Sequence, residues 1–143
     1  MIFGGRFFSI HAEKFSDMPI NAVNVDIALT AINLLEENEL EIRYVYTVDY
    51  ADNVGRLVIE GVVFDRLNSP EEAKKIADAF NTDKSQVPRE YVSNVINAIN
   101  YICSINSPLP LKVIELAPPI LPPQIQLEEE SVNAAHEEEN AFA

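Results

Sequence analysis

The side chains of this sequence that could carry chemistry are His11, His136, Cys103 and a scatter of carboxylates, and their spacing assembles no familiar centre. A metal site or a general base needs imidazoles gathered with other ligands. These are the only two histidines, and His136 stands near the end of the chain among Ala134, Ala135 and Glu137. Asp49 with Asp52, or Glu60 with Asp65, could be drawn as acid–base pairs, but turn and solvent-face positions account for them as well. Cys103 lies between Ile102 and Ser104 on an apolar helix stripe, where a thiol is a small hydrophobe rather than a nucleophile. No Gly-x-Ser-x-Gly elbow, P-loop or Gly-x-Gly-x-x-Gly stretch occurs, and Gly4, Gly5, Gly55 and Gly61 are the only glycines from which a phosphate cradle could be built. The expectation is a protein with no catalytic residue, no metal and no cofactor.

Composition narrows the partners. With 23 acidic against 10 basic residues the formal charge is −13, so phosphates are repelled on average, and the tightest basic feature is only Lys74-Lys75. Direct nucleic-acid binding is therefore disfavoured. A hydrophobic content of 48% in 143 residues supplies the core of one domain. The single cysteine excludes an internal disulfide framework and fits a reducing, cytoplasmic setting. Met1 to Phe8 holds no long apolar stretch, and no later run approaches the ~20 residues of a membrane helix, so neither a signal peptide nor a span is expected.

The elements that must position these residues are written in the periodicity. Apolar residues alternate with polar ones in Val23 to Leu29 and in Leu40 to Tyr50, which predicts half-buried antiparallel strands. Phe8 to Phe15 alternates more loosely, and Val54 to Phe64 is nearly continuous and β-branched, giving four strands in all. Glu36 to Glu39 and Ala51 to Asn53 are turn segments short enough for hairpins, so strands two, three and four form a meander. Ser69-Pro70-Glu71-Glu72 is an N-cap, a first-turn proline and a capping-box glutamate, which opens a short helix from about Pro70 to Phe80. Val92, Val95, Ile96, Ile99, Ile102 and Cys103 draw one stripe along a longer helix from Pro88 to Asn106, expected to lie across the sheet. The fold class is α+β.

Two features remain for function. Period 2 places Tyr44, Tyr46 and Tyr50 on one face of the third strand with Val48 among them. Such rings either pack beneath the long helix or meet another chain. From Pro108 onward six prolines interleave with aliphatic residues, so Leu109 to Leu127 is expected to be mostly extended, a Pro-rich arm that packs over the domain or docks on a neighbour. Residues 128–143 hold six glutamates and no Lys or Arg, which reads as a disordered acidic tail. The domain is thus expected to span 1–127.

The strand Ile42-Arg43-Tyr44-Val45-Tyr46-Thr47-Val48-Asp49-Tyr50, the strand Gly55 to Gly61, the helix opening at Val87-Pro88 and the segment Glu115-Leu116-Ala117-Pro118 follow one another in a telling order. In that order they resemble the SecB family of export chaperones and its archaeal and toxin–antitoxin-linked relatives, over about residues 5 to 127. The resemblance implies an ATP-independent holdase, usually tetrameric, that keeps polypeptides unfolded on apolar grooves. Tyr44, Tyr46, Val48, Tyr50, Leu57 and Ile59 would then line or support the client surface, and Leu116, Pro118, Pro119, Ile120, Leu121 and Pro122 would form a docking arm. The alternative is a non-catalytic adaptor or subunit of a larger assembly such as the ribosome, docked through that arm.

Overall fold

The computed structural model describes residues 1–119. Four strands, β1 (Ile2–Lys14), β2 (Val23–Leu34), β3 (Glu39–Tyr50) and β4 (Gly55–Arg66), precede three helices, α1 (Pro70–Thr82), α2 (Arg89–Asn106) and α3 (Pro108–Val113). The strands form one antiparallel sheet in the order β1-β4-β3-β2, so the expected meander is present and β1 returns beside β4 in Greek-key fashion.

Register explains the core. Tyr44 faces Gly61, Tyr46 faces Ile59, Val48 faces Leu57 and Tyr50 faces Gly55 across β3 and β4, while Val25, Ile27 and Leu29 of β2 join the same face. This inner face carries the helices and the outer face carries none. Ala73, Ile76, Ala77 and Phe80 of α1, with Val95, Ile99 and Cys103 of α2, close over it to make one apolar cluster. Burying whole aliphatic or aromatic side chains in this way contributes about 1.5–3 kcal/mol each.

Strand ends differ from the periodic reading wherever a bulge shifts the alternation. β1 begins at Ile2 rather than Phe8, because irregularities at Ile2/Gly4 and Phe7/Ser9 scramble its two-residue period. In β2 the register slips between Leu29 and Ala31, which moves the inward position onto Ile32 and carries the strand past Leu29. The hairpin at Ala51–Asn53 places Asp52 and Asn53 at φ 61° and 56°, a left-handed conformation that short polar side chains tolerate.

The helices obey their caps. Ser69 Oγ accepts the Glu72 amide at 3.2 Å and Pro70 fills the first turn, as expected. The segment after Asn106 corrects the expectation of extended chain. Ser107, at φ −71° and ψ −28°, both ends α2 and opens α3, so the helix bends there and continues to Val113. Pro108 and Pro110 fit because amides of a first turn need no intrahelical acceptor. The Leu116 amide then returns to the Leu111 carbonyl at 2.9 Å with Glu115 at φ 57°, a Schellman-type stop that reverses the chain.

Candidate functional site, an uncharged helical ridge beside the first strand

The six residues expected to line or support a client surface are core residues and do not line it. Tyr44, Tyr46, Val48, Tyr50, Leu57 and Ile59 are all at most 2% exposed, because α1 and α2 cover the face they share. Of the two fates open to the tyrosine row, packing beneath helices is the one realised. The Tyr44 hydroxyl receives the Cys103 thiol at 3.7 Å, and the Tyr50 hydroxyl donates to the Ala117 carbonyl. Burial raises both phenols above the ordinary range and pushes the Cys103 thiol from 9.0 up to about 12, which leaves it protonated and unreactive at neutral pH.

The arm is likewise rooted in the fold. Leu116 is 4% exposed and belongs to the core cluster, Pro119 is buried, and Pro118 is exposed. Room for Leu116 exists because position 55 is glycine, since a Cβ there would lie 2.6 Å from Leu116 Cδ1. Leu116 and Pro119 therefore do not offer a docking strip. Ile120, Leu121 and Pro122, the acidic segment 128–143 and His136 lie outside the described residues.

Neither of the two carboxylate pairs drawn from the sequence forms. Asp49 is held by Arg56 at 2.7 Å, and Asp52 accepts the Asn21 amide at 3.1 Å. Glu60 is exposed on the outer face, whereas Asp65 is buried on the inner one. Asp65 is satisfied there by the Tyr91 hydroxyl at 2.6 Å and the Met1 ammonium at 2.7 Å. His11 meets only its neighbour Glu13. Among the described residues no group of three His, Cys, Asp or Glu side chains could hold a metal ion, and no helix is long and apolar enough to cross a membrane.

Among the large apolar side chains that the described residues leave exposed, four are spaced every four residues. Tyr101 and Ile105 on α2 are 59% and 58% exposed, and Leu109 and Val113 on α3 are 76% and 78% exposed. Four-residue spacing stacks them along one side of the bent helix. Between Glu90 and Lys112 the chain carries no charged residue, although 23% of the whole sequence is charged. Beside α2 runs a mostly apolar groove of about 380 Å³, whose lining includes Gly4, Gly5, Phe7, Val63 and Ile102, with Asn106 and one charged residue, Arg6. The glycines keep its β1 wall bare, and a Cβ at Gly5 would meet the Val62 carbonyl at 2.8 Å. An uncharged, aromatic and aliphatic surface of this kind has the composition of a protein-interface core.

On the outer face of the sheet Phe3 and Phe8 are exposed too, at 43% and 47%, but cations lie against their rings. Arg6 and Arg43 lie over the Phe8 ring at 5.4 and 5.0 Å, and Arg66 lies over Phe3 at 4.6 Å. Arg43, Arg56 and Arg66 are also paired with Glu41, Asp49 and Glu39. The ridge has no such cover. It was missed in the sequence because the periodic pattern was read for what is buried, and the signal that points to it is the charge-free run from Tyr91 to Leu111.

No protein-family model matches the chain, and no curated protein matches it either. Among solved structures the fold is similar to that of the Mycobacterium tuberculosis Rv1957 SecB-like chaperone, solved in complex with a ChAD peptide from the Rv1956 HigA1 antitoxin. The TM-score is 0.51 and the identity 14%, over 90% of this chain and 88% of that one. At that identity the likeness establishes architecture: the chain has a SecB-like α+β fold, a four-stranded antiparallel sheet with a bent helix in its C-terminal half.

Proposed function

We propose that this protein is an ATP-independent polypeptide-binding chaperone, a holdase that works by contact and carries out no chemical step. The observation that supports the reading most is the ridge of Tyr101, Ile105, Leu109 and Val113, exposed beside an apolar groove and free of charge. Such a surface gains by burying the aliphatic and aromatic side chains of an unfolded chain, at about 25 cal/mol per Å² removed from water. It discriminates little, which suits many clients. The SecB-like fold, shared with a chaperone solved with a peptide bound, adds support at the level of architecture.

Assembly into a dimer or tetramer and action in protein export belong to the same proposal. The adaptor alternative is weaker, because the arm it would dock through begins with Leu116, a core residue. Suppression of aggregation of an unfolded model protein, without nucleotide, is the test. The full chain at a few-fold molar excess should suppress it, and a Tyr101→Ser, Ile105→Ser, Leu109→Ser variant should lose most of that capacity. Equal suppression by both would remove the ridge from the mechanism, and none by either would remove the holdase.

A further inference from the structure

We infer that clients are gripped at the free edge of β1, where an extended polypeptide segment adds itself to the sheet and turns its apolar side chains toward the groove and the ridge. The inference rests on the holdase reading and gives it a class of substrate, extended segments in which apolar residues alternate.

The backbone supplies the first argument. β1 bonds to β4 along one edge, and among the described residues no backbone group is paired with the other edge. Every second residue of such a strand points its N–H and C=O groups outward. From Ser9 to Lys14 the register with β4 runs without a bulge, which offers about 20 Å of regular ladder, the length of an ordinary strand. No proline interrupts it, and no Asp, Glu, Lys or Arg lies between Arg6 and Glu13.

The side chains supply the second. Phe7, Ile10 and Ala12 pair with Gly61, Ile59 and Leu57 and face inward, yet Ile10 is 44% exposed and the other two are only half-buried. A row left partly open in this way is completed by a neighbouring strand whose alternate side chains point to the same face. Phe7 and Ile102 both line the groove, and the exposed Ile105, three residues on along α2, extends its helical wall. The opposite edge lacks these features. On β2 the inward Val23, Val25 and Ile32 are already buried, Asp26 is charged and the bulge at Leu29/Ala31 interrupts the ladder, all of which discourage pairing.

Charge decides between occupants. A second copy of β1 would bring two chains of formal charge −13 side by side, whereas an uncharged segment of an unfolded chain meets no such repulsion.

The test uses the full chain and a short capped peptide in which valine alternates with threonine. Hydrogen exchange followed by NMR should show alternate amides between Phe7 and Glu13 slowed by the peptide and those of β2 unchanged. The same peptide with every backbone amide N-methylated keeps its side chains and loses the ladder, and it should bind at least about tenfold more weakly. Ile10→Lys places a charge in the inward row at an already exposed position and should weaken the unmethylated peptide by a similar factor, with an unchanged thermal melt. Equal binding of the two peptides without protection along β1 overturns strand addition and leaves the holdase, with its clients on the ridge alone. Protection of the β1 amides in the peptide-free chain that grows with protein concentration gives the edge to a second copy and overturns the inference as well. If neither the peptide nor a permanently unfolded, carboxymethylated protein binds at all, the holdase reading falls and strand addition falls with it.

Discussion

Gly61 stands directly across β3 and β4 from Tyr44, and a Cβ at position 61 would fall 2.6 Å from the Tyr44 hydroxyl oxygen. The glycine is thus the space into which a buried core tyrosine points its polar end. Gly61→Ala should destabilise the fold by about 1–3 kcal/mol, the usual cost of overpacking, read as a lower urea midpoint. Adding Tyr44→Phe should return only part of that loss, because the hydroxyl is one of three atoms too close to the same Cβ, and the Arg6 carbonyl oxygen at 2.7 Å and the ring Cζ at 2.9 Å remain. Strict additivity of the two changes would show that they do not meet.

The root of the arm makes a similar prediction. Leu116→Ala empties the site that Gly55 provides and should cost about 2–4 kcal/mol. Tyr50→Phe removes only the hydrogen bond to the Ala117 carbonyl and should cost about 1 kcal/mol. Thermal unfolding of the two variants measures both, and an insensitive Leu116 would mean that the arm is not docked as described.

Core and ridge should respond in opposite ways. Tyr46→Ala deletes a fully buried ring and should cost about 3–5 kcal/mol, a large share of the stability of a small domain. Tyr101→Ser and Ile105→Ser remove exposed side chains and should leave the unfolding midpoint within about 0.5 kcal/mol of the native chain. Circular dichroism melts of the three single variants decide this. A strongly destabilised Ile105→Ser chain would place that residue in the core.

Alkaline pH should be the weak side of this fold. Cys103 is raised from 9.0 to about 12 by burial, and Tyr44, Tyr50 and Tyr91 are raised above 10.0, again chiefly by burial. A group raised in the folded state contributes stability that is fully present below its unfolded pKa and is lost as pH rises toward its folded one. Stability should therefore fall steadily between about pH 9 and pH 12. Urea midpoints across that window test it, and a flat profile would contradict it. At neutral pH Cys103 should resist alkylation by iodoacetamide until the protein unfolds.

Much of this architecture was legible in the residues. The capping signature at Ser69 marked the start of α1, and the alternation from Leu40 to Tyr50 gave β3 and its inward side chains. Bulges hid the rest: at Phe7/Ser9 and Leu29/Ala31 an extra residue reverses which parity faces inward, so a fixed two-residue period stops β1 and β2 short of their true ends. Pro108 and Pro110 signalled extended chain because a proline within a helix is costly, but the first turn of α3 removes that cost. The site was harder still. Periodicity says that Tyr44 and Tyr46 share a face, not whether helices cover it, and two helices settle that question only in three dimensions. Tyr101 and Ile105 lie off the stripe of Val95, Ile99 and Cys103, and the sequence signal for them and for Leu109 is the run without charge from Tyr91 to Leu111.

The stretch without ionised side chains from Tyr91 to Leu111 also fixes how its contacts should answer to electrolytes. Debye screening has nothing to weaken there, so raising sodium chloride should leave its associations nearly unchanged. Sulfate, which is excluded from apolar surface, should tighten them.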